Sequence, residues 1–261
     1  MNTFLKLTVI ATLSFSLVGC IETLKNVKGY PFTLETYTKS KKSPTVLISH
    51  GSACLTEHER RTASLVNSWG YNAVVIDHCT ARGVSKYTAG SPPVSLLPTH
   101  KALDYFEAAA WVKTQPWHQG KIAVIGFSRG GAAALAATDI ENLIQFSNLQ
   151  PDAADLLAGV VAYYPACNPT QRPRNPQIPA LIHHGDEDNL SHVSVCGYKR
   201  QEINPHRNYQ IILYSGAHHG FDQDFPEMKT VGSIITLRYD PKAALESQET
   251  SRKFLKNILD P

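Results

Sequence analysis

The chain has no uninterrupted apolar run of the roughly 20 residues that a membrane-spanning helix needs. It has no internal repeat, no low-complexity tract and no linker-like stretch that would divide it. Neither H-E-x-x-H nor a Cys/His ligand spacing occurs, and no two of the five cysteines lie close in sequence, which argues against a metal site. An excess of charge is also missing. Lys and Arg number 25 against 22 acids, a formal +3. That balance gives no ground for a nucleic acid or acidic polymer as partner.

The longest apolar stretch comes first. Lys6 is the only charged residue ahead of Leu7–Val18, and Gly19-Cys20 closes the run. A short apolar segment behind a positive start reads as a signal sequence. Leu17-Val18-Gly19-Cys20 resembles the lipobox of bacterial lipoproteins, which implies cleavage before Cys20 and a diacylglyceryl group on its sulfur. The expected organisation is therefore a leader over 1–19, a tether over 20–29 and one domain over 30–261. The expected location is the bacterial cell envelope, facing the periplasm and held to a membrane through Cys20. Without the leader the balance becomes 24 to 22, a net +2. Cys54, Cys79, Cys167 and Cys196 remain, and four cysteines in an exported chain suggest two disulfides with three possible pairings.

Short β-branched runs alternate with helical patterns. The runs are 45–49, 72–77, 121–126, 159–164, 180–184 and 209–214, each ending at a turn. Runs apolar on both faces indicate buried parallel strands. Helical spacing falls at 57–69, 101–112 (with Leu103, Phe106 and Ala110 as the repeating apolar positions), 130–137, 193–203 and 243–258. The alternation predicts an α/β fold: a doubly wound, mostly parallel sheet with helices on both faces. Tyr30–Tyr37 alternates more and is expected as an antiparallel edge strand.

Gly126-Phe127-Ser128-Arg129-Gly130 follows the strand KIAVI and opens an Ala-rich helix. That is the G-x-S-x-G nucleophile elbow in its strand-turn-helix context, and it makes Ser128 the candidate nucleophile. Glycines are needed on either side because side chains there would clash in so tight a turn. The Arg129 amide, at the helix start, is a candidate oxyanion donor. A seryl hydroxyl needs a base and an orienting acid, expected downstream in the order acid, then His. Strand ALIHH leads into Asp186-Glu187-Asp188, and strand YQIILY leads into Ala217-His218-His219-Gly220. Asp188 and His219 are preferred, with Asp186 and His218 left open by spacing. His50-Gly51-Ser52, after the first central strand, offers the Ser52 amide as second oxyanion donor, with His50 bracing the loop. His183 and His184 cannot share one metal ion, because neighbours on a strand point to opposite faces. Arg82 could clamp a substrate carboxylate or serve the structure instead.

Taken together, VLISHG, VVIDHCTARG, GFSRGG, YYPAC, GDED and GAHHGFD, with a last helix from Asp240-Pro241, resemble the dienelactone hydrolase family over about residues 30 to 258. GFSRGG and HHGFD are the most specific segments. The resemblance implies an α/β-hydrolase fold, no metal or organic cofactor, and Ser128, Asp188 and His219 as the triad. The dienelactone hydrolases proper carry Cys at the nucleophile position, so Ser128 implies hydrolysis of small carboxylic esters in general, through an acyl-enzyme. The strand order of that fold pairs Cys54 with Cys79 and Cys167 with Cys196. Two rival expectations are a dipeptidyl-type serine peptidase, which shares fold and triad order, and a non-catalytic envelope lipoprotein on a hydrolase scaffold.

Overall fold

A computed structural model of the chain describes residues 21–86, 91–166, 176–191, 208–224, 228–230 and 235–260. Eight strands form one sheet in the order β1-β2-β4-β3-β5-β6-β7-β8. They are β1 (Glu22–Lys25), β2 (Pro31–Tyr37), β3 (Ser43–Ser49), β4 (Asn72–Asp77), β5 (His118–Phe127), β6 (Gly159–Tyr163), β7 (Ala180–Gly185) and β8 (Tyr209–Tyr214). From β4 to β8 all pairings are parallel, with Leu47 opposite both Val74 and Val124 in the centre. The apolar runs form strands because both faces are covered. Val46 and Ile48 of β3 pack on one side with Ala63 and Val66 of α1 (Glu57–Ser68) and Leu255 and Leu259 of α5 (Pro241–Leu259). Leu47 and Val124 pack on the other with α2 (Pro98–Lys113). Two remaining short helices, α3 (Arg129–Ala136) and α4 (Ile140–Phe146), follow the elbow, and a two-stranded hairpin joins β9 (Met228–Thr230) to β10 (Ile235–Leu237).

Three expectations need correction. The stretch expected as a tether contains β1, which pairs antiparallel with β2 over Glu22–Lys25, with Leu24 packed against the core. β2 is antiparallel as expected, but β1 covers its outer side and β4 its inner side, so it is not the edge. In α2 the face is wrong: Ala110 is exposed, whereas Lys101 and Asp104 are fully buried. The helix expected at 193–203 lies outside the described residues.

Helix ends follow local chemistry. Thr56 and Glu59 form a capping box at the start of α1, and Asp240 accepts the amides of Lys242 and Ala243 before Pro241 opens α5. Buried histidines tie the layers together. His183 lies between the Tyr214 hydroxyl (2.8 Å) and Ser251 Oγ (2.9 Å), and burial pulls its pKa down to about 3. Burial, reinforced by Lys101, does the same to His50, also to about 3. Each imidazole stays neutral in the fold while the unfolded chain protonates it near 6.5. Between pH 6.5 and 3 the unfolded state therefore binds more protons, and stability falls on acidification. Urea unfolding at stepped pH should show a loss approaching roughly 1.4 kcal/mol per unit for each of these histidines below pH 6.5. His58 opposes this in part, because Asp222 outweighs burial and raises its pKa. A flat profile from pH 6.5 to 4.5 would contradict the assignment.

Candidate active site

Ser128 stands between β5 and α3 with φ 50° and ψ −111°, a conformation L-residues avoid. The surrounding glycines permit it. A Cβ on Gly126 would lie 2.3 Å from the Gly130 carbonyl oxygen, and one on Gly130 would lie 2.4 Å from that of Ser49. Neither backbone can yield, so G-x-S-x-G here is a packing requirement. The Ser128 amide donates to Tyr163 (3.0 Å), and its carbonyl accepts from Ala132 and Ala166, so the turn is held on both sides.

The loops after β7 and β8 bring in two more residues. They meet where Gly185 abuts Ala217: a Cβ on Gly185 would sit 2.1 Å from the Ala217 oxygen. The Glu187 amide bonds the same oxygen at 3.1 Å. This contact sets Asp188 Oδ2 2.8 Å from His219 Nδ1, and His219 Nε2 lies 2.9 Å from Ser128 Oγ. Asp188 is fully buried, and its Oδ1 accepts the amides of Leu190 (3.0 Å) and Ser191 (2.8 Å). Burial alone would raise its pKa, but the His219 partner, the nearby His184 and the Ser191 amide hold it below the usual carboxylate range. The ring of Tyr164 lies 4.7 Å from that of His219.

The alternatives left open in the sequence fall elsewhere. Asp186 Oδ1 accepts the Gly216 amide at 2.7 Å and braces the turn after β8. His218 makes no hydrogen bond to Ser128 or Asp188 among the described residues. His183 and His184 point to opposite faces, as expected: His184 Nε2 bonds the Ser191 carbonyl on the side of Asp188. Arg82 is not a substrate clamp. Its guanidinium bonds Asp104, the Pro31 carbonyl and the Ser95 carbonyl, and its side chain is 3% exposed.

Gly51 brings the loop after β3 against the nucleophile, since a Cβ there would meet Ser128 Cβ at 3.2 Å. The loop is pinned from behind. Lys101 Nζ donates to the His50 carbonyl (2.7 Å), His50 Nδ1–H donates to the Gly51 carbonyl (2.7 Å), and His50 Nε2 accepts the His78 amide (3.1 Å). His50 is thus a brace. From the front, Cys54 is joined to Cys79 with Cα atoms 5.8 Å apart, the expected pairing. The other expected pair, Cys167 and Cys196, lies outside the described residues, as does Cys20. His50, Asp77 and Cys79 cluster closely enough to suggest metal ligands, but the Cys79 sulfur is in the disulfide and both His50 nitrogens are engaged.

Ser128 and His219 open into a cavity of about 180 Å³, lined also by Ser52, Cys54, Phe127, Leu190 and Leu237. Two polar residues in it, Glu59 and Gln223, were not legible in the sequence. The T-x-x-E signature at Thr56–Glu59, which could have marked this helix start, says nothing of the burial of Glu59.

The sheet order, the elbow and the loop-borne acid and histidine are those of the α/β-hydrolase fold. The chain belongs to the dienelactone hydrolase family, whose model matches residues 33–259. Family and fold are those of ester hydrolases. Among solved structures it is similar to a dienelactone hydrolase-like promiscuous phosphotriesterase from metagenomic libraries (18% identity over 92% of this chain and 100% of that one, TM-score 0.66). It is also similar to a propionate-bound thermophilic esterase from Thermogutta terrifontis (18%, 92% and 95%, TM-score 0.65). A third is a carboxylesterase from Lactobacillus plantarum (14%, 94% and 99%, TM-score 0.67). No curated relative matches the chain. At these identities the likenesses establish the fold alone.

Proposed function

We propose that this protein hydrolyses small carboxylic esters by serine catalysis, with Ser128 as nucleophile, His219 as general base and acid, and Asp188 as orienting acid. The observation that supports it most is the unbroken Ser128–His219–Asp188 hydrogen-bond chain at the cavity, at 2.9 and 2.8 Å. His219 Nε2 takes the Ser128 proton as Oγ attacks the ester carbonyl, and Asp188 steadies the imidazolium. The amides of Ser52 and Arg129 receive the oxyanion, each donor worth about 3–4 kcal/mol in the transition state. The intermediate collapses, His219 protonates the departing alcohol, and water, deprotonated by His219, cleaves the acyl-enzyme.

A p-nitrophenyl short-chain ester beside a chromogenic dipeptide amide tests the reading, together with a fluorophosphonate adduct located by mass spectrometry. Ester turnover and an adduct on Ser128 are expected. Preferential amide cleavage would favour the peptidase, and no labelling would favour a non-catalytic scaffold.

The envelope location and the diacylglyceryl anchor on Cys20 belong to the same proposal, supported by the lipobox-like Leu17–Cys20. β1 begins at Glu22, so an anchored chain would hold its sheet edge against the bilayer with almost no tether. Among the described residues no helix is long and apolar enough to cross a membrane.

A further inference from the structure

Glu59 lies in the first turn of α1, 3% exposed, and lines the same cavity as Ser128 and His219. One carboxylate oxygen, Oε2, accepts the Thr56 amide (2.9 Å) and the Thr56 hydroxyl (2.7 Å). The other, Oε1, makes no hydrogen bond among the described residues, and Glu59 forms no ion pair among them. A buried acid without a contacting counter-ion is costly, and such groups are ordinarily paired. Arg82 is bound to Asp104, and Lys101, whose charge interacts with Glu59 from beyond contact distance, donates to the His50 carbonyl. The remaining walls described for this cavity are largely apolar (Ala53, Phe127, Leu190, Leu237), with Ser52, Thr56 and Gln223 as further polar groups.

We propose that Glu59 Oε1 is a substrate-binding acceptor that selects esters carrying a hydrogen-bond donor, an ammonium or a hydroxyl, and rejects esters carrying a carboxylate. The inference rests on the serine-hydrolase reading above and names its substrate class. A donor entering the cavity completes the coordination of Oε1, and an ammonium also supplies a counter-charge in contact with it. A carboxylate meets repulsion at short range, with no Lys or Arg among the described lining residues to pair with it directly.

Glu59→Gln isolates the charge, because glutamine preserves the capping box with Thr56 and so the start of α1. The probes are p-nitrophenyl hexanoate and its ω-amino, ω-hydroxy and ω-carboxy analogues, with thermal unfolding as the control for the fold. In the native enzyme kcat/KM should be highest for the ω-amino ester and lowest for the ω-carboxy ester. In Glu59→Gln the ratio of these two should fall about tenfold or more. Retention of an ω-hydroxy preference in the variant assigns a plain hydrogen bond, and its loss assigns the charge. An unchanged ratio, in an enzyme that still turns over hexanoate and labels at Ser128, overturns the role of Glu59. Absence of turnover and labelling for every probe overturns the hydrolase reading instead, and this inference with it.

Discussion

Ser128→Ala is expected to lower kcat/KM for a p-nitrophenyl ester by about 10⁴- to 10⁶-fold and to abolish fluorophosphonate labelling. The fall should lie in kcat. In the proposed mechanism the hydroxyl is the reacting group, while the cavity walls Phe127, Leu190 and Leu237 are untouched. What survives over water would come from the oxyanion amides and binding, which act on an attacking water as they would on Oγ. The strained turn does not depend on the hydroxyl: the Ser128 amide bond to Tyr163 and the flanking glycine contacts belong to the backbone. Thermal unfolding should therefore stay close to native. A pure variant that kept more than a tenth of native activity would remove Ser128 from the mechanism.

Asp104→Leu is expected to cost about 3–5 kcal/mol of stability. Asp104 is fully buried and accepts from Arg82 Nη2 (2.6 Å), His78 Nδ1 (2.5 Å) and Asn26 Nδ2 (2.6 Å). It thereby joins the turn after β1, the loop after β4 and helix α2. Burial raises its pKa to about 7, opposed by Arg82. Leucine fits the space but leaves the buried Arg82 guanidinium without its carboxylate, with only the Pro31 and Ser95 carbonyls as acceptors, and removes the acceptor of His78 Nδ1; the uncompensated charge dominates the cost. The companion Arg82→Met/Asp104→Leu protein should recover part of the loss, since it removes both charges. Urea unfolding of the three proteins checks this. A loss below 1 kcal/mol for Asp104→Leu would mean that solvent reaches the cluster.

The contrast between these sites shows where sequence is informative. Ser128 was legible because a strand, a tight turn and a helix need glycines at fixed offsets, and those offsets are local. Asp188 and His219 followed from chain order, but neither could be told from Asp186 or His218 by spacing. That choice is made by the meeting of two loops at Gly185 and Ala217, about thirty residues apart in the chain. Lys101 and Asp104 were illegible for a different reason. In α2 they look like the polar side of an amphipathic helix, and Ala110 like its apolar side. The helix is in fact covered on almost all of its circumference, and partners from the chain before it hold its charges: Arg82 pairs with Asp104, and the His50 carbonyl accepts from Lys101. β1 was missed because four residues with one apolar member carry no pattern until β2 offers them an edge.

The position of β2 also governs how the chain acquires its structure. Its partner within the sheet is β4, not β3, so the hydrogen bonds of Thr33–Tyr37 await Ala73–Asp77, about forty residues later. β3 is likewise flanked by β4 and by β5, whose matching residues begin only near 118–122. β1 and β2 can pair with each other early, but that hairpin docks onto a sheet begun elsewhere. Loop closure of that length precedes any gain from the contact, which places the chain among slow folders. Until β4 exists, β2 presents an open edge and a pair of apolar side chains, Phe32 and Leu34, to any neighbouring chain. The stretch most exposed to misassembly during biogenesis is thus the one that, once folded, is sealed by β1 on one side and β4 on the other.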